Sequence, residues 1–372
     1  MSGILVHEWL SPEGGSENVF ATLCEMFPDA ERWALWDASE GRFAGIHETL
    51  LARTPLRGQK AAALPFMPAV WRALPSRSAE WVLCSTHAFA HHARFHGPAR
   101  DAPKFVYAHT PARYVWAPEL DGRGGGAVAR GLSSLLKRVD RARAQEPTAI
   151  AANSDFVADR IARCWEREAS VIHPPIAVDE FGVEPDLDSV DERVLDNLPT
   201  GYLLGFSRFV PYKRLDAVID AGRAVGLPVV LAGAGPDEQR LRAIADERHP
   251  GRVTFVHRPS APLLRALYRH ARALVFAPVE DFGIVPVEAM ASGTPVVANA
   301  VGGAAESVVV GETGTLVREW NSPSEVREAV ERAVSMDSAA CVRRARDFSP
   351  EVFEQNMRGW LQTRLDGRAL TA

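Results

Sequence analysis

The chain has 372 residues, of which 47% are hydrophobic, 24% charged and 8% aromatic, and its formal net charge is −5. This length exceeds what one hydrophobic core usually serves, so two domains of ordinary size are expected, and the composition excludes a disordered chain. The acidic balance excludes a protein whose overall field attracts nucleic acid, since such binding depends on neutralising phosphates.

Short apolar runs alternate with stretches of helical periodicity, which is typical of a parallel sheet covered by helices. In the first part of the chain the predicted strands are 3–9, 32–36, 81–85, 104–109, 149–153 and 170–173. Pro174-Pro175 then interrupts the alternation, because a proline pair continues neither a strand ladder nor a helix. The crossing between the two domains is predicted at this pair.

The second part of the chain repeats the alternation. Its predicted strands are 202–206, 229–232, 253–257, 273–277 and 295–298. The sequence therefore predicts an α/β protein with two doubly wound, Rossmann-like domains. Such domains bind ligands at the carboxyl ends of their strands, so function is sought in the turns that follow the strands.

The first of these turns contains Gly14-Gly15 and leads into a predicted helix. Bare backbone amides at a helix N-terminus suit a diphosphate, which predicts a phosphate contact at Gly14 and Gly15. The same pattern also fits glycines that serve only a tight turn, with Ser16 as the helix cap.

In the second domain, the predicted strand 202–206 is followed by Arg208 and Lys213, shortly before a helix begins. Cations at the carboxyl end of a strand, beside a helix N-terminus, suit a diphosphate whose negative charge grows as it leaves. The alternative interpretation is that both are solvated surface charges, which is the usual state of lysine and arginine.

Two glutamates lie around the start of a later helix. Glu280 follows the predicted strand 273–277, and Pro286 suits a first helical turn, which places Glu288 on the helix. Both carboxylates are predicted to accept hydrogen bonds from sugar and ribose hydroxyls, although they would also fit simple compensation of the helix dipole. The backbone amides predicted to meet ligand oxygens are those of Phe282, Gly283 and Ile284.

A histidine cluster in the first domain comprises His87, His91, His92 and His96. On a helix, residues four apart share a face at the spacing of metal ligands, but no carboxylate or thiol nearby in the sequence completes a metal site. The favoured interpretation is that these histidines form the polar rim of a ligand cleft. No Asp-x-Asp triplet lies near a loop predicted to bind the diphosphate, so neither a metal nor a cofactor is expected.

The four cysteines, which are far apart, fit buried thiols in a reducing compartment: Cys24, Cys84, Cys164 and Cys341. No apolar run reaches the length that spans a membrane, so the cytoplasm is the expected location. Residues 130–143 combine leucines at helical spacing, including Leu132, Leu135 and Leu136, with flanking cations. This helix either packs on the sheet or rests on the inner face of the membrane.

Together these motifs resemble family 4 of the retaining glycosyltransferases, which have the GT-B fold. The resemblance rests on Glu280 and Glu288 around Phe282-Gly283, Arg208, Lys213, Gly14-Gly15 and the segment 302–306. It implies two domains that face a central cleft, with an acceptor-side domain of residues 1–174 and 349–372 and a nucleotide-sugar-binding domain of residues 175–348. The C-terminal helix would cross back to the first domain.

The family resemblance implies a role for each residue. Arg208 and Lys213 would hold the donor phosphates, Glu288 the ribose, and Glu280 the transferred sugar, assisted by the amides named above. His109 lies in a segment, 107–111, that resembles the family segment with the catalytic histidine. The alternative for His109 is a structural residue that orders the following loop.

The neighbouring run, 109–116, is similar to bacterial mannosyl- and rhamnosyltransferases of polysaccharide assembly. The expected donor is therefore a GDP-linked hexose such as GDP-mannose, with UDP-sugars open, and the acceptor is a hydroxyl of a glycan, a lipid-linked sugar or a natural product. No carboxylate nucleophile is evident, which favours front-face substitution with retention. Two alternatives are a nucleotide-sugar 2-epimerase of the same fold and a non-catalytic nucleotide-sugar-binding protein.

Overall fold

The computed structural model describes residues 2–116 and 127–369, with side chains described up to 116 and over 133–365. The chain divides into two units: unit 1 comprises Met1–Pro175 and Pro350–Ala372, and unit 2 comprises Ile176–Ser349. Each unit is built on a parallel sheet with helices between most successive strands. The predicted α/β class is confirmed.

Unit 1 has a seven-stranded sheet with the order β3-β2-β1-β4-β5-β6-β7. Its strands are β1 Gly3–His7, β2 Glu31–Ala34, β3 Ile46–Glu48, β4 Trp81–Thr86, β5 Lys104–Ala108, β6 Ala149–Ala152 and β7 Ser170–Val171. Its helices up to the domain crossing are α1 Gly15–Met26, α2 Lys60–Ala63, α3 Met67–Arg72, α4 Arg113–Trp116, α5 Ala127–Arg143 and α6 Asp155–Trp165.

Unit 2 has a six-stranded sheet with the order β10-β9-β8-β11-β12-β13. The strands are β8 Leu203–Phe206, β9 Val229–Gly233, β10 Val253–His257, β11 Ala273–Phe276, β12 Val296–Asn299 and β13 Gly314–Val317. The helices are α7 Val178–Gly182, α8 Ser189–Asp196, α9 Leu215–Val225, α10 Glu238–Arg248, α11 Ala261–His270, α12 Ile284–Ala291, α13 Ala304–Ser307, α14 Pro323–Ala333 and α15 Ser338–Ala345.

Two strands were not predicted, and both lie at the edges of their sheets. β3, Ile46–Glu48, has three residues with one aliphatic side chain, and β13, Gly314–Val317, has four residues, of which the first is glycine. Strands this short give too weak a periodic signal to be recognised. Predicted strands also ran too far at their carboxyl ends, so that Trp9 and His109 lie beyond β1 and β5 rather than within them.

Both faces of each sheet are buried, which explains the continuous apolar strands. In β1, Ile4 and Val6 join the core on one face of the sheet, while Leu5 joins the core on the other. In unit 2, Leu204 and Leu203 divide in the same way between the two faces. The carboxyl ends of the central strands are left to carry polar residues.

The last helix, α16 Pro350–Ala369, belongs to unit 1 although it follows unit 2 in the chain. It buries Phe353, Met357, Trp360 and Leu361 in the same core as Leu5 and Phe105 of the sheet. These four residues recur at helical spacing, so one face of α16 completes this core.

The leucine stripe predicted on α5 is divided by the structure. Leu136 is buried, whereas Leu135 is 58% exposed, and Leu132 lies outside the residues whose side chains are described. Leu135 therefore lies on the outer face of the helix beside the exposed Arg138. Among the described residues, no helix combines the length and apolar character needed to cross a membrane.

Candidate active-site residues of the two units

The cations predicted in unit 2 lie in the loop between β8 and α9. Lys213 ends a 3₁₀ turn, Pro211–Lys213, and Arg214 after it has a left-handed backbone with φ of 52°. Arg208 donates to the Tyr212 hydroxyl at 3.1 Å, and the Lys213 ammonium lies 5.2 Å from the centre of the same ring. Tyr212 thus contacts both cations, a role that the sequence did not indicate.

Lys213 also contacts the carboxylate predicted from the later loop. Its Nζ lies 2.5 Å from Glu280 Oε1, and both side chains are largely but not fully buried. The contact forms because β8 and β11 are neighbours in the sheet, so the loops that follow them meet at the same edge. A cation and a carboxylate side by side can hold a phosphate and a sugar hydroxyl of one ligand.

Two glycines of the segment 302–306 fix the backbone of the Glu280 loop. The amide of Gly303 donates to the Glu280 carbonyl at 2.9 Å. A Cβ on Gly303 would lie only 2.1 Å from the Asp281 carbonyl oxygen, and Gly302 has a left-handed φ of 108°. These glycines therefore allow the close approach of two loops.

The amides predicted to bind ligand oxygens lie at the start of α12. Gly283 is the N-cap, with φ of 90°, and no side chain caps the helix there. Phe282 is buried with its ring 5.6 Å from that of Phe348, so its side chain belongs to the core and only its backbone is suited to a ligand. The N-terminus of α12 thus offers backbone dipoles for an anion or a hydroxyl oxygen.

Glu288 lies one turn into α12 and accepts a hydrogen bond from the Tyr268 hydroxyl at 2.9 Å. Burial raises the pKa of Glu288 to about 6, and the hydrogen bond from Tyr268 opposes part of that rise. Tyr268, on α11, is fully buried. Glu288 is therefore an acceptor that ionises close to neutral pH.

In unit 1, His109 lies next to the carboxyl end of β5 and is joined to two residues that the sequence did not single out. His109 Nε2 lies 2.9 Å from Ser85 Oγ, and Ser85 Oγ lies 3.1 Å from His7 Nδ1. His7 and Ser85 are direct partners across β1 and β4, and β5 is the next strand. The sequence signal that could have pointed to His7 and Ser85 is that ligand-binding residues lie at the carboxyl ends of strands. That signal does not show which strands are neighbours in the sheet.

Burial keeps these imidazoles neutral. It lowers the pKa of His109 to about 3 and that of His87 to about 3, where His109 and Lys60 add to the effect. Burial, followed by the nearby His87 and His109, also lowers the pKa of His7 well below its ordinary value. At neutral pH each ring therefore carries one proton and offers one acceptor.

Gly14-Gly15 stands at the start of α1, as predicted, but a carboxylate lies beside it. A Cβ on Gly14 would lie 2.1 Å from Glu17 Oε2, and Glu17 is only 4% exposed. Ser16 donates to Glu17 at 2.7 Å and does not cap the helix, which corrects the alternative interpretation of Ser16. An anion bound at these glycines would share the site with this carboxylate.

Two residues of the histidine cluster, His91 and His92, are not on the polar rim that the sequence suggested. His91 and His92 lie in a short 3₁₀ turn, Ala90–His92, and both are fully buried, while His96 is exposed. A carboxylate distant in sequence, Asp140, lies 3.1 Å from His91 Nε2 and 3.0 Å from His92 Nε2. The prediction that no carboxylate stands near these histidines was therefore wrong.

Asp140 forms a buried polar network with these histidines and two tryptophans. The indole groups of Trp116 and Trp165 each donate to Asp140 Oδ2 at 2.7 Å. Contacts with both histidines lower the pKa of Asp140, although burial opposes them. The potential metal ligands of His91, His92 and Asp140 thus lie within 4.8 Å of one another. The Asp140 carboxylate already faces four nitrogen groups, two indoles and two imidazoles.

Comparison with known proteins agrees with this geometry. Residues 193–348 match the family model described as "Glycosyl transferases group 1". The match covers less than half of the chain. The matched segment contains Arg208, Lys213, Glu280 and Glu288 and lies wholly within unit 2.

Two curated relatives are similar over part of the chain. A GDP-mannose-dependent alpha-(1-6)-phosphatidylinositol monomannoside mannosyltransferase of Mycobacterium tuberculosis is 34% identical over 213 residues, which cover 50% of this chain and 54% of the relative. A D-inositol 3-phosphate glycosyltransferase of Mycobacterium bovis is 38% identical over 244 residues, covering 59% and 47%. The chain thus spans about half the length of these relatives.

Two solved structures share the fold. The Anabaena protein HepE in complex with UDP has a TM-score of 0.69 and 18% identity, covering 97% of this chain and 100% of that one. The lipopolysaccharide outer core galactosyltransferase WaaB has a TM-score of 0.70 and 15% identity, covering 98% and 100%. The fold is therefore GT-B, and the predicted resemblance to mannosyltransferases of this fold is confirmed.

Proposed function

We propose that this protein is a retaining glycosyltransferase that moves a hexose from a nucleotide-diphosphate sugar to an acceptor hydroxyl. The observation that carries the proposal is the contact of Lys213 with Glu280 at the carboxyl edge of the unit 2 sheet, inside the segment that matches group 1 glycosyltransferases. Charge of both signs at one strand edge suits a ligand that combines phosphates with sugar hydroxyls.

In this proposal each residue of unit 2 meets one part of the donor. Arg208 and Lys213 neutralise the diphosphate, Glu280 accepts hydrogen bonds from the hexose, and Glu288 accepts them from the ribose. GDP-mannose is the favoured donor because one relative is named for its dependence on it. A UDP-sugar is the alternative, since HepE was solved with UDP.

The proposed chemistry breaks the bond between the anomeric carbon and the donor phosphate and forms one from that carbon to the acceptor oxygen on the same face. The departing phosphate oxygen takes the proton of the acceptor hydroxyl. Arg208 and Lys213 supply charge that is most useful when the phosphate leaves, so no metal ion is needed. His109 contacts the hexose near the reacting carbon.

The acceptor is proposed to be a hydroxyl of a glycan, a lipid-linked sugar or a small molecule. The relatives are named for inositol-containing acceptors, which supports a polyhydroxylated acceptor. The exposed Leu135 beside Arg138 supports an enzyme that works in the cytoplasm at the inner face of the membrane.

A panel of nucleotide sugars tests the donor. A ligand at 100 times its dissociation constant stabilises the folded protein by about 2.7 kcal/mol, so the true donor should raise the melting temperature most. Glu288→Ala should abolish most of that rise, because hydrogen bonds to charged groups are worth about 1.5–3 kcal/mol. Glu312→Ala, an exposed carboxylate of the same unit, is the control.

Product analysis then separates the functional classes. Incubation of the best donor with a mixture of glycan and inositol acceptors should give a new glycoside of retained configuration. Release of free nucleotide with an altered sugar, in the absence of acceptor, would instead indicate a 2-epimerase. Binding without any turnover would indicate a nucleotide-sugar-binding protein.

A further inference from the structure

Two hydrogen-bond contacts in series lead from His109 to Ser85 and from Ser85 to His7, and both partners are buried polar residues. Ser85 Oγ lies 2.9 Å from His109 Nε2 and 3.1 Å from His7 Nδ1. Ser85 and His7 are 1% and 0% exposed, so water does not compete for these contacts. A hydroxyl carries one proton, so Ser85 donates to one imidazole and accepts from the other.

His7 determines which group donates in each of these two hydrogen bonds. Its second ring nitrogen, Nε2, is buried and has no hydrogen-bond partner among the described residues. A proton on Nε2 would be a buried unpaired donor, which folded proteins avoid more strictly than an unpaired acceptor. The proton therefore lies on His7 Nδ1 and donates to Ser85, whose hydroxyl then donates to His109 Nε2.

We propose that His7 and Ser85 are positioning residues that keep neutral His109 protonated on Nδ1. Among the described residues, the hydrogen bond of the His109 side chain is made through Nε2 to Ser85, so Nδ1 is the nitrogen left for a ligand. In this tautomer His109 donates a hydrogen bond to an oxygen of the hexose and does not act as a general base. The assignment rests on the proposed function only in naming the hexose as the ligand.

The residues around His7, Ser85 and His109 hold these side chains in place, and burial keeps the two imidazoles neutral. The His7 ring stacks on Phe20 with centres 4.9 Å apart, and the His109 amide donates to the Thr86 carbonyl at 2.8 Å. The other groups that face His109 are the Tyr107 ring at 5.2 Å and the His87 ring at 6.2 Å. Because burial lowers the pKa of His109 to about 3, the ring is neutral near pH 7. What its surroundings then decide is which of its two nitrogens carries the proton.

Nitrogen NMR of the full chain labelled on its histidine rings tests the proposal directly. The His109 signals, assigned by their loss in His109→Gln, should show a protonated Nδ1 and a bare, hydrogen-bonded Nε2. In Ser85→Ala this preference should weaken. Turnover should fall about tenfold or more with little change in the donor KM, because small losses of orientation are costly to rate.

Matched variants separate positioning from packing. His7→Asn keeps a donor near the Nδ1 position and should retain more turnover than His7→Phe, which keeps the ring volume but not the hydrogen bond. Ser39→Ala is the control, because Ser39 is a buried serine of unit 1 whose hydroxyl has no partner among the described residues. If Ser85→Ala does not fold, the His7 pair still provides the test.

Two results would overturn the proposal: a proton on Nε2 of His109 in the unmodified protein, or an unchanged tautomer and turnover in folded Ser85→Ala. The ring signals do not depend on turnover. If no nucleotide sugar reacts, the proposed function fails while the positioning of His109 is still decided by NMR.

Discussion

Glu288 combines partial burial with one hydrogen bond from Tyr268, and its pKa is raised to about 6 from an ordinary value of 4.5. A carboxylate can accept hydrogen bonds from both ribose hydroxyls, whereas a protonated carboxyl loses part of that capacity. In the proposed function, the charge of this one residue therefore connects donor binding to pH.

Donor affinity should fall as the pH is lowered through 6, approaching tenfold per unit well below it, since the diphosphate of a nucleotide sugar does not titrate in this range. Titration calorimetry between pH 5 and about 8 measures this change. Glu288→Gln should bind the donor more weakly and without this pH dependence. A flat profile for the unmodified protein would remove Glu288 from the ribose site.

The same raised pKa has the opposite effect on stability. The folded state binds the proton of Glu288 more tightly than the unfolded state, so this residue reduces stability as the pH rises from 4.5 to about 6. Glu288→Gln removes that loss and should therefore gain stability relative to the unmodified protein above pH 6, which thermal unfolding at several pH values can detect.

Lys213 and Arg208 should affect rate more than binding. In the proposed function they meet a phosphate charge that increases towards the transition state, so Lys213→Ala and Arg208→Ala should lower kcat more than they raise the donor dissociation constant. Arg327→Ala, an exposed cation of the same unit, is the control and should change neither. Equal losses in kcat and affinity would contradict a role in the leaving step.

At the scale of elements, the loop from β11 to α12 depends on a second loop that packs against it. Gly302-Gly303 follows β12 and contacts the backbone of Glu280 and Asp281. This approach is possible only without side chains, so two short segments separated in the sequence form one rigid support for the Glu280 carboxylate.

Gly303→Ala should therefore displace the Glu280 loop. The added Cβ would lie 2.1 Å from the Asp281 carbonyl oxygen, and such overpacking costs about 1–3 kcal/mol. Both the melting temperature and the donor affinity should fall. Gly182→Ala, where an added Cβ meets nothing within 4 Å, should leave both unchanged. Normal donor binding by Gly303→Ala would show that the loop does not need this support.

At the scale of the whole molecule, the proposed chemistry uses protein cations and helix N-termini in place of a metal ion. The triplet Asp186-Leu187-Asp188 precedes α8, where Asp188 accepts hydrogen bonds from the amides of Val190 and Asp191 as a helix cap. The Asp140 network of unit 1 is fully buried among indole and imidazole groups. Asp188 and Asp140 are thus each engaged in hydrogen bonds within their own unit.

Glycosyl transfer should therefore survive an excess of chelator. Initial rates with and without EDTA, after removal of bound metal, measure this directly. Elemental analysis of the purified protein checks the Asp140 network separately. Complete loss of activity that a divalent ion restores would mean that the phosphate charge is met by a metal after all.

The sequence by itself determined the fold class and the loops of unit 2 that carry charge. Alternation of buried strands with helices requires a parallel sheet, because only that arrangement buries both faces of such strands. The loops that carry Arg208, Lys213 and Glu280 could be predicted because each follows a strand, which is local information, while the roles of these residues stay predictions. The two edge strands were missed because their few residues carry little periodic signal.

Only the tertiary structure decided which polar groups meet. The contacts of His7 with Ser85, of Tyr268 with Glu288 and of Asp140 with His92 join residues 78, 20 and 48 positions apart. Such pairs depend on the order of strands in the sheet and on helix packing, which hydrophobic periodicity does not encode. The tautomer of His109 and the ionisation of Glu288 follow from these contacts and from burial, so they belong to the folded chain.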